Sequence, residues 1–149
     1  MIAERSGHNV LMGISDENET YITFQMTYKE AINALEIAHI RKKECPVVWN
    51  EKIGYWKLLK DMSQQQQCKE FVSKKIDALI QYDKENESDF IETLEALVNH
   101  LGARNITATS LYLHRNTLMY RIKKIENLTG YDLSDPESIL ELSLALRLN

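Results

Sequence analysis

"LYLHRNTLMYRIKKIENLTG", residues 111–130, decides how this chain folds and what it touches. His-Arg-Asn-Thr opens the stretch, and Arg-Ile-Lys-Lys follows on a helical repeat. At about 100° per residue, Leu118, Ile122 and Ile125 fall on one side, with Leu128 near its edge. Asn116, Tyr120 and Lys123 lie opposite, flanked by Thr117, Met119 and Lys124. The face turned from the core is therefore polar and cationic, with no carboxylate before Glu126. Asn pairs bidentately with adenine, Lys or Arg with guanine, and a Thr methyl packs on thymine. The pattern predicts a helix over about 115–128 that enters the major groove of duplex DNA.

The flanking residues predict the frame. Ser88 or Asp89 is placed to cap a helix from Phe90 to about Leu101, with Leu94, Leu97, Val98 and Leu101 at i, i+3, i+4 and i+7. Gly102 supplies a left-handed stop. Asn105 is expected to cap a short helix over about 106–112, with Ala108 and Leu111 inward. A brief turn then leads into the basic helix, which stops at Thr129-Gly130. Ser134 and Glu137 have capping-box spacing, and Pro136 sits in the first turn of a last apolar helix. A short helix, a turn and a longer basic helix give a helix-turn-helix outline.

Charge distribution agrees with this reading better than net charge does. The chain carries −4, but no acidic residue lies between Glu95 and Glu126. Arg104, Arg115, Arg121, Lys123 and Lys124 fall in that interval, so the remainder carries −9. A basic island in an acidic chain is a local electrostatic footprint. Within it some roles stay open. Arg121 sits beside the core stripe and reaches either a phosphate or a neighbouring carboxylate. His114 falls in the turn, as a cap or packing residue or as a phosphate contact. Tyr120 is a groove residue or partial core. Arg115, at the helix start, touches a phosphate or a base.

Upstream the pattern is mixed. Residues 9–15 suggest a short buried strand, and 24–43 a helix with Ala31, Leu35 and Ala38 inward. Pro46 breaks that helix, Val47–Trp49 reads as a strand, and 54–62 returns to helix. Small residues on the first helix predict close packing onto a sheet. Phe71, Val72, Ile76, Leu79 and Ile80 form one stripe, so residues 63–85 are expected to connect two units, with a boundary near 84–89. The predicted organisation is mainly α. A partial α/β segment (1–62) and a connecting helix (63–85) precede a helix-turn-helix bundle of about four helices (86–149).

Other function classes find little support. The sequence has no Gly-rich phosphate loop, no Gly-x-Ser-x-Gly and no His-Glu-x-x-His. His8, His39, His100 and His114 are scattered, and neither Cys45 nor Cys68 stands at metal-ligand spacing. No catalytic residue, metal or cofactor is expected. No apolar run approaches the roughly 18 residues of a membrane span. With two cysteines expected as reduced thiols, a cytoplasmic protein with no membrane partner is predicted. The competing reading is a helical module that uses its basic face on a protein or RNA, without DNA sequence preference.

The stretch "NITATSLYLHRNTLMYRIKKIENLTGYDLSDPESILELSLALRL" also closely resembles the C-terminal DNA-binding domain of the PucR/CdaR family of bacterial transcriptional regulators. The residues that carry the resemblance are His114 to Leu118, Tyr120-Arg121, Thr129-Gly130, Asp135-Pro136 and the Leu-rich last helix, over about 86–148. "YKEAINALEIA" and "GYWKLLKDM" resemble, more weakly, the end of the GGDEF-like domain that precedes it in this family. No Gly-Gly-Asp-Glu-Phe signature is present, so cyclase activity is not expected. The resemblance implies sequence-specific transcriptional regulation, with an effector sensed upstream. Because the chain starts inside the GGDEF-like region, it is expected to be a fragment or truncated product with exposed sheet edge or apolar surface. DNA-binding residues expected from the face of the basic helix are Arg115, Asn116, Thr117, Tyr120 and Lys123 toward the groove. Lys124, Arg121, Arg104 and His114 are assigned toward phosphates. A homodimer or higher oligomer on double-stranded DNA completes the expectation.

Overall fold

Gly13 shows how the first part of the chain packs. It lies in strand β1 (Met12–Ile14). A Cβ there would fall 2.2 Å from the backbone nitrogen of Leu35 and 2.3 Å from the carbonyl oxygen of Ala31. Only glycine lets the strand run against the backbone of helix α1 (Phe24–Ile40). The structure, a computed structural model, describes residues 10–16, 24–41 and 46–149. Two compact units divide the chain, Met1–Asp61 and Met62–Asn149.

In the first unit β1 pairs in parallel with β2 (Val47–Trp49), in the register Met12 to Val47, Gly13 to Val48 and Ile14 to Trp49. The small-residue contact of helix on sheet is present, but the inward stripe differs from the expected one. Ala34, Ile37 and Ala38 are buried with Val48 and Ile53, whereas Leu35 is 38% exposed. Because β1 meets α1 at its backbone between Ala31 and Leu35, the Leu35 side chain stands beside the contact. The expected strand over 9–15 is shorter, and its residue 9 lies outside the described residues, as do 42 and 43 of the expected helix. A 3-10 turn (Asn50–Lys52) precedes helix α2 (Trp56–Ser63). Lys60 of α2 pairs with Glu36 of α1. Phe24, Met26, Tyr28 and Leu58 are exposed.

The second unit contains helices α3 (Gln66–Asn86), α4 (Phe90–Asn99), α5 (Arg104–Ser110), α6 (Arg115–Thr129) and α7 (Pro136–Leu148). The segment expected as a connector is part of this bundle. Val72, Ile76 and Leu79 of α3 share one core with Leu94, Leu97, Leu118, Ile122, Ile125 and Leu142. The stripe on residues 71–80 is therefore a core face, and five helices build the unit. Each fully buried Leu or Ile contributes about 1.5–3 kcal/mol.

Polar ties set the helix ends, often through residues other than those expected. Asp89 holds the N-cap position of α4 as expected, but its side chain makes no capping bond; Asp83 of α3 supplies it. Its carboxylate accepts from the backbone N–H of Phe90 (3.0 Å) and Ile91 (2.8 Å), and from Ser88 Oγ (2.6 Å). The helix ends at Asn99, and both Leu101 (φ 51°) and Gly102 (φ 79°) take left-handed backbone. α5 starts at Arg104 with no side-chain cap, so Asn105 lies inside the helix. At α7 the cap is Asp135, one residue after the expected Ser134. Asp135 accepts from the N–H groups of Glu137 (3.3 Å) and Ser138 (3.0 Å) and from Ser138 Oγ. The Ser138 hydroxyl bond, helped by the backbone bonds, holds the Asp135 carboxyl below its usual range.

Lys75 ties α3 to α7 and to the segment before it. Its side chain is only 10% exposed and pairs with Glu141. The ammonium donates to the Tyr131 hydroxyl and lies over the rings of Phe71 (4.7 Å) and Tyr131 (4.5 Å). Burial opposes the charge, but hydrogen bonds to Glu141 and Tyr131 outweigh it, so the Lys75 pKa is raised. Among the described residues no helix is long and apolar enough to cross a membrane.

Candidate nucleic-acid interface

The turn between α5 and α6 is closed by backbone bonds. The N–H of Leu113 donates to the carbonyl of Ala108 (2.9 Å) and that of Tyr112 to Thr109 (3.1 Å). This pair is a Schellman-type ending, and it puts Tyr112 at φ 54°, a conformation that usually favours glycine. The Tyr112 side chain is 97% exposed and gains no packing there. His114 then turns extended, and its Nδ1 accepts from the N–H of Asn116 at 3.3 Å. Of the two roles left open for His114, the cap is visible in the geometry. It requires Nδ1 to be the unprotonated ring nitrogen.

From this start α6 runs with Leu118, Ile122 and Ile125 buried, as the repeat predicts. Gly130, at φ 76°, ends it. Arg115, Asn116, Thr117, Tyr120 and Lys123 are all exposed. Tyr120 is 66% exposed, which removes it from the core. Asn127 is exposed as well. It stands four residues beyond Lys123 and seven beyond Tyr120, on the same face, so the rotation that found the others also points to it. The face carries no carboxylate. Glu126, the first acid after the basic island, is engaged elsewhere, accepting from the N–H of Leu133 at 3.0 Å.

The flanks of α6 are tied down. On one side Arg121 Nη1 donates to Thr93 Oγ1 of α4 at 2.9 Å, and Nη2 lies 3.8 Å from Asp89. The carboxylate partner left open for Arg121 is therefore present, and Arg121 stands apart from the exposed set. Also on this flank, the Lys124 ammonium lies over the Tyr82 ring of α3, 4.8 Å from its centre. On the other flank Arg104, at the start of α5, borders a shallow hollow with Tyr120, Lys123, Asp132 and Ser134. The Asp132 pKa is lowered, first by the Ser134 hydroxyl and backbone bonds and, more weakly, by the Arg104 charge. Arg104 thus joins the cationic face at its edge, partly balanced by Asp132.

Two helices joined by a tight turn, the second presenting an acid-free cationic and amide-bearing face, define the helix-turn-helix class. Within that class, residues 90–148 match the PucR C-terminal helix-turn-helix domain. The chain is 29% identical over 140 residues to the proline-responsive transcriptional activator PutR of Bacillus subtilis (strain 168), covering 93% of this chain and 34% of that protein. It is 30% identical over 139 residues to the purine catabolism regulatory protein of the same organism, covering 93% of this chain and 26% of that protein. The carbohydrate diacid regulator of Escherichia coli (strain K12) is 42% identical over 57 residues, 38% of this chain and 15% of that protein. The chain therefore spans about a third or less of the length of these relatives.

Proposed function

We propose that this chain is a cytoplasmic, non-enzymatic, sequence-specific DNA-binding transcriptional regulator that acts as a homodimer. Helix α6 enters the major groove with Asn116, Thr117, Tyr120 and Lys123 toward base edges and Arg115 at the rim. Lys124, Arg104 and His114 approach phosphates, and Asn127 extends the reading face. Arg121 serves the fold, because its guanidinium is already engaged with α4. Residues 1–62 are the end of a GGDEF-like domain in this reading. Effector sensing, by analogy with relatives named as a proline-responsive activator, a purine catabolism regulatory protein and a carbohydrate diacid regulator, belongs to the longer regulator architecture.

The observation that carries the proposal is the exposed, acid-free face of α6 behind a capped helix-turn-helix turn. A surface made for an acidic protein would need the cations alone. The combination of amides, hydroxyls and cations on one helix face fits base edges.

The test is selection of bound duplexes from a random pool by the purified chain at near-physiological salt. Enrichment of one motif, repeated about one helical turn apart, is expected for a dimer. Salt-sensitive binding without enrichment would remove base reading. Binding to RNA or an acidic protein in preference to every duplex would reassign the face.

A further inference from the structure

The proposed interface depends on a residue outside the helix-turn-helix motif. Tyr82 belongs to α3 and precedes the matched family segment, residues 90–148. One face of its ring stacks on Phe90, with centroids 5.6 Å apart and planes at 24°. The Lys124 ammonium lies over the ring, 4.8 Å from the centre. Phe90 is 7% exposed and part of the core, so the ring is braced against the core. Lys124 is half-buried, while Lys123 beside it is exposed.

From this arrangement we propose that Tyr82 is a positioning residue for DNA binding. Its ring holds the Lys124 ammonium at the edge of the reading face, pre-set for a phosphate. A free lysine loses rotamer freedom when it makes such a contact, whereas a lysine already held over an aromatic ring loses less. The ring does not neutralise the charge, so the ammonium still displaces a counterion when it meets a phosphate. Tyr82 therefore raises affinity on every duplex alike and does not alter sequence preference. The inference rests on the DNA-binding reading, with α6 in the groove.

The experiment is a double-mutant cycle on the full chain, titrated against a random-sequence duplex at several salt concentrations. Tyr82→Leu is expected to weaken binding about three- to tenfold, as the ordering cost of one long side chain predicts. Tyr82→Phe, which keeps the ring face, is expected to bind like the unsubstituted chain. Lys124→Gln reduces the salt slope by about one, and Tyr82→Leu then adds no further loss. Equal losses from Tyr82→Leu in both backgrounds would overturn the proposal by making Tyr82 only structural. Tighter binding by Tyr82→Leu would overturn it by showing that the ring withholds Lys124.

A readout without DNA completes the test. The Lys124 side-chain methylene resonances are expected upfield by ring current in the unsubstituted chain and in Tyr82→Phe, and at ordinary values in Tyr82→Leu. Ordinary values in the unsubstituted chain would overturn the placement while leaving DNA binding intact. Failure of the unsubstituted chain to bind any duplex would remove the DNA reading and the role of Tyr82 with it.

Discussion

Arg121 Nη1 donates a 2.9 Å hydrogen bond to Oγ1 of Thr93, a residue with no exposure of its own. The same hydroxyl donates to the carbonyl of Asp89 at 2.8 Å. Helix α6 is thereby fastened to α4 through a charge-assisted bond at a partly buried site. Hydrogen bonds to charged groups contribute about 1.5–3 kcal/mol, while the more exposed Asp89 pair adds at most about 1 kcal/mol.

Arg121→Met is therefore expected to destabilise the chain by about 1.5–3 kcal/mol in denaturant unfolding. The salt slope of DNA binding should stay as it was. A slope lowered by about one, with unchanged stability, would return Arg121 to the phosphate contacts.

Asn116 has the opposite expectation. It is exposed, and only its backbone N–H takes part in the His114 cap. Asn116→Ala should leave stability nearly unchanged and cost about 1–3 kcal/mol on the selected site, less on random DNA. Equal losses on both DNAs, measured by competition titration, would take Asn116 out of base reading.

Tyr112 combines left-handed backbone with a side chain in solvent. A non-glycine residue there costs about 1–2 kcal/mol, and glycine adds about 0.5–1 kcal/mol of unfolded-state freedom. Tyr112→Gly is expected to raise the unfolding midpoint slightly, with Tyr112→Ala close to the unsubstituted chain. A lower midpoint for glycine would mean that the Tyr112 side chain makes a stabilising contact.

Lys75 makes stability depend on alkaline pH. Its folded pKa lies above the ordinary value of 10.5. Its contribution is therefore fully present below the unfolded pKa and is lost as pH rises through the folded one. The difference in Tm between the unsubstituted chain and Lys75→Met should hold constant to about pH 10 and shrink above it. A difference that is flat to pH 12 would assign the effect of Lys75 to packing alone.

The role of α3 sets the smallest folding unit. Loss of Val72, Ile76 and Leu79 would remove about 5–9 kcal/mol of burial, comparable to the whole stability of a small domain. Residues 62–149 are expected to unfold cooperatively on their own, whereas 90–149 should lack a cooperative transition by circular dichroism. Cooperative unfolding of the shorter piece would restore α3 to a connecting role.

The sequence by itself determined much of helix α6: its limits to within a residue, its buried Leu118, Ile122 and Ile125, and its exposed amide and cationic face. Those follow from a local repeat of 3.6 residues, and a local repeat is fully present in the chain. Only the tertiary structure decided that α3 belongs to the core, because an apolar stripe does not name the surface that will cover it. It also decided that Asp83, seven residues before Phe90, caps α4, and that Arg121 turns to Thr93 while Lys124 turns to Tyr82. These partners lie up to 42 residues apart in sequence, and their pairing follows from how the helices pack, which no window of neighbouring residues contains.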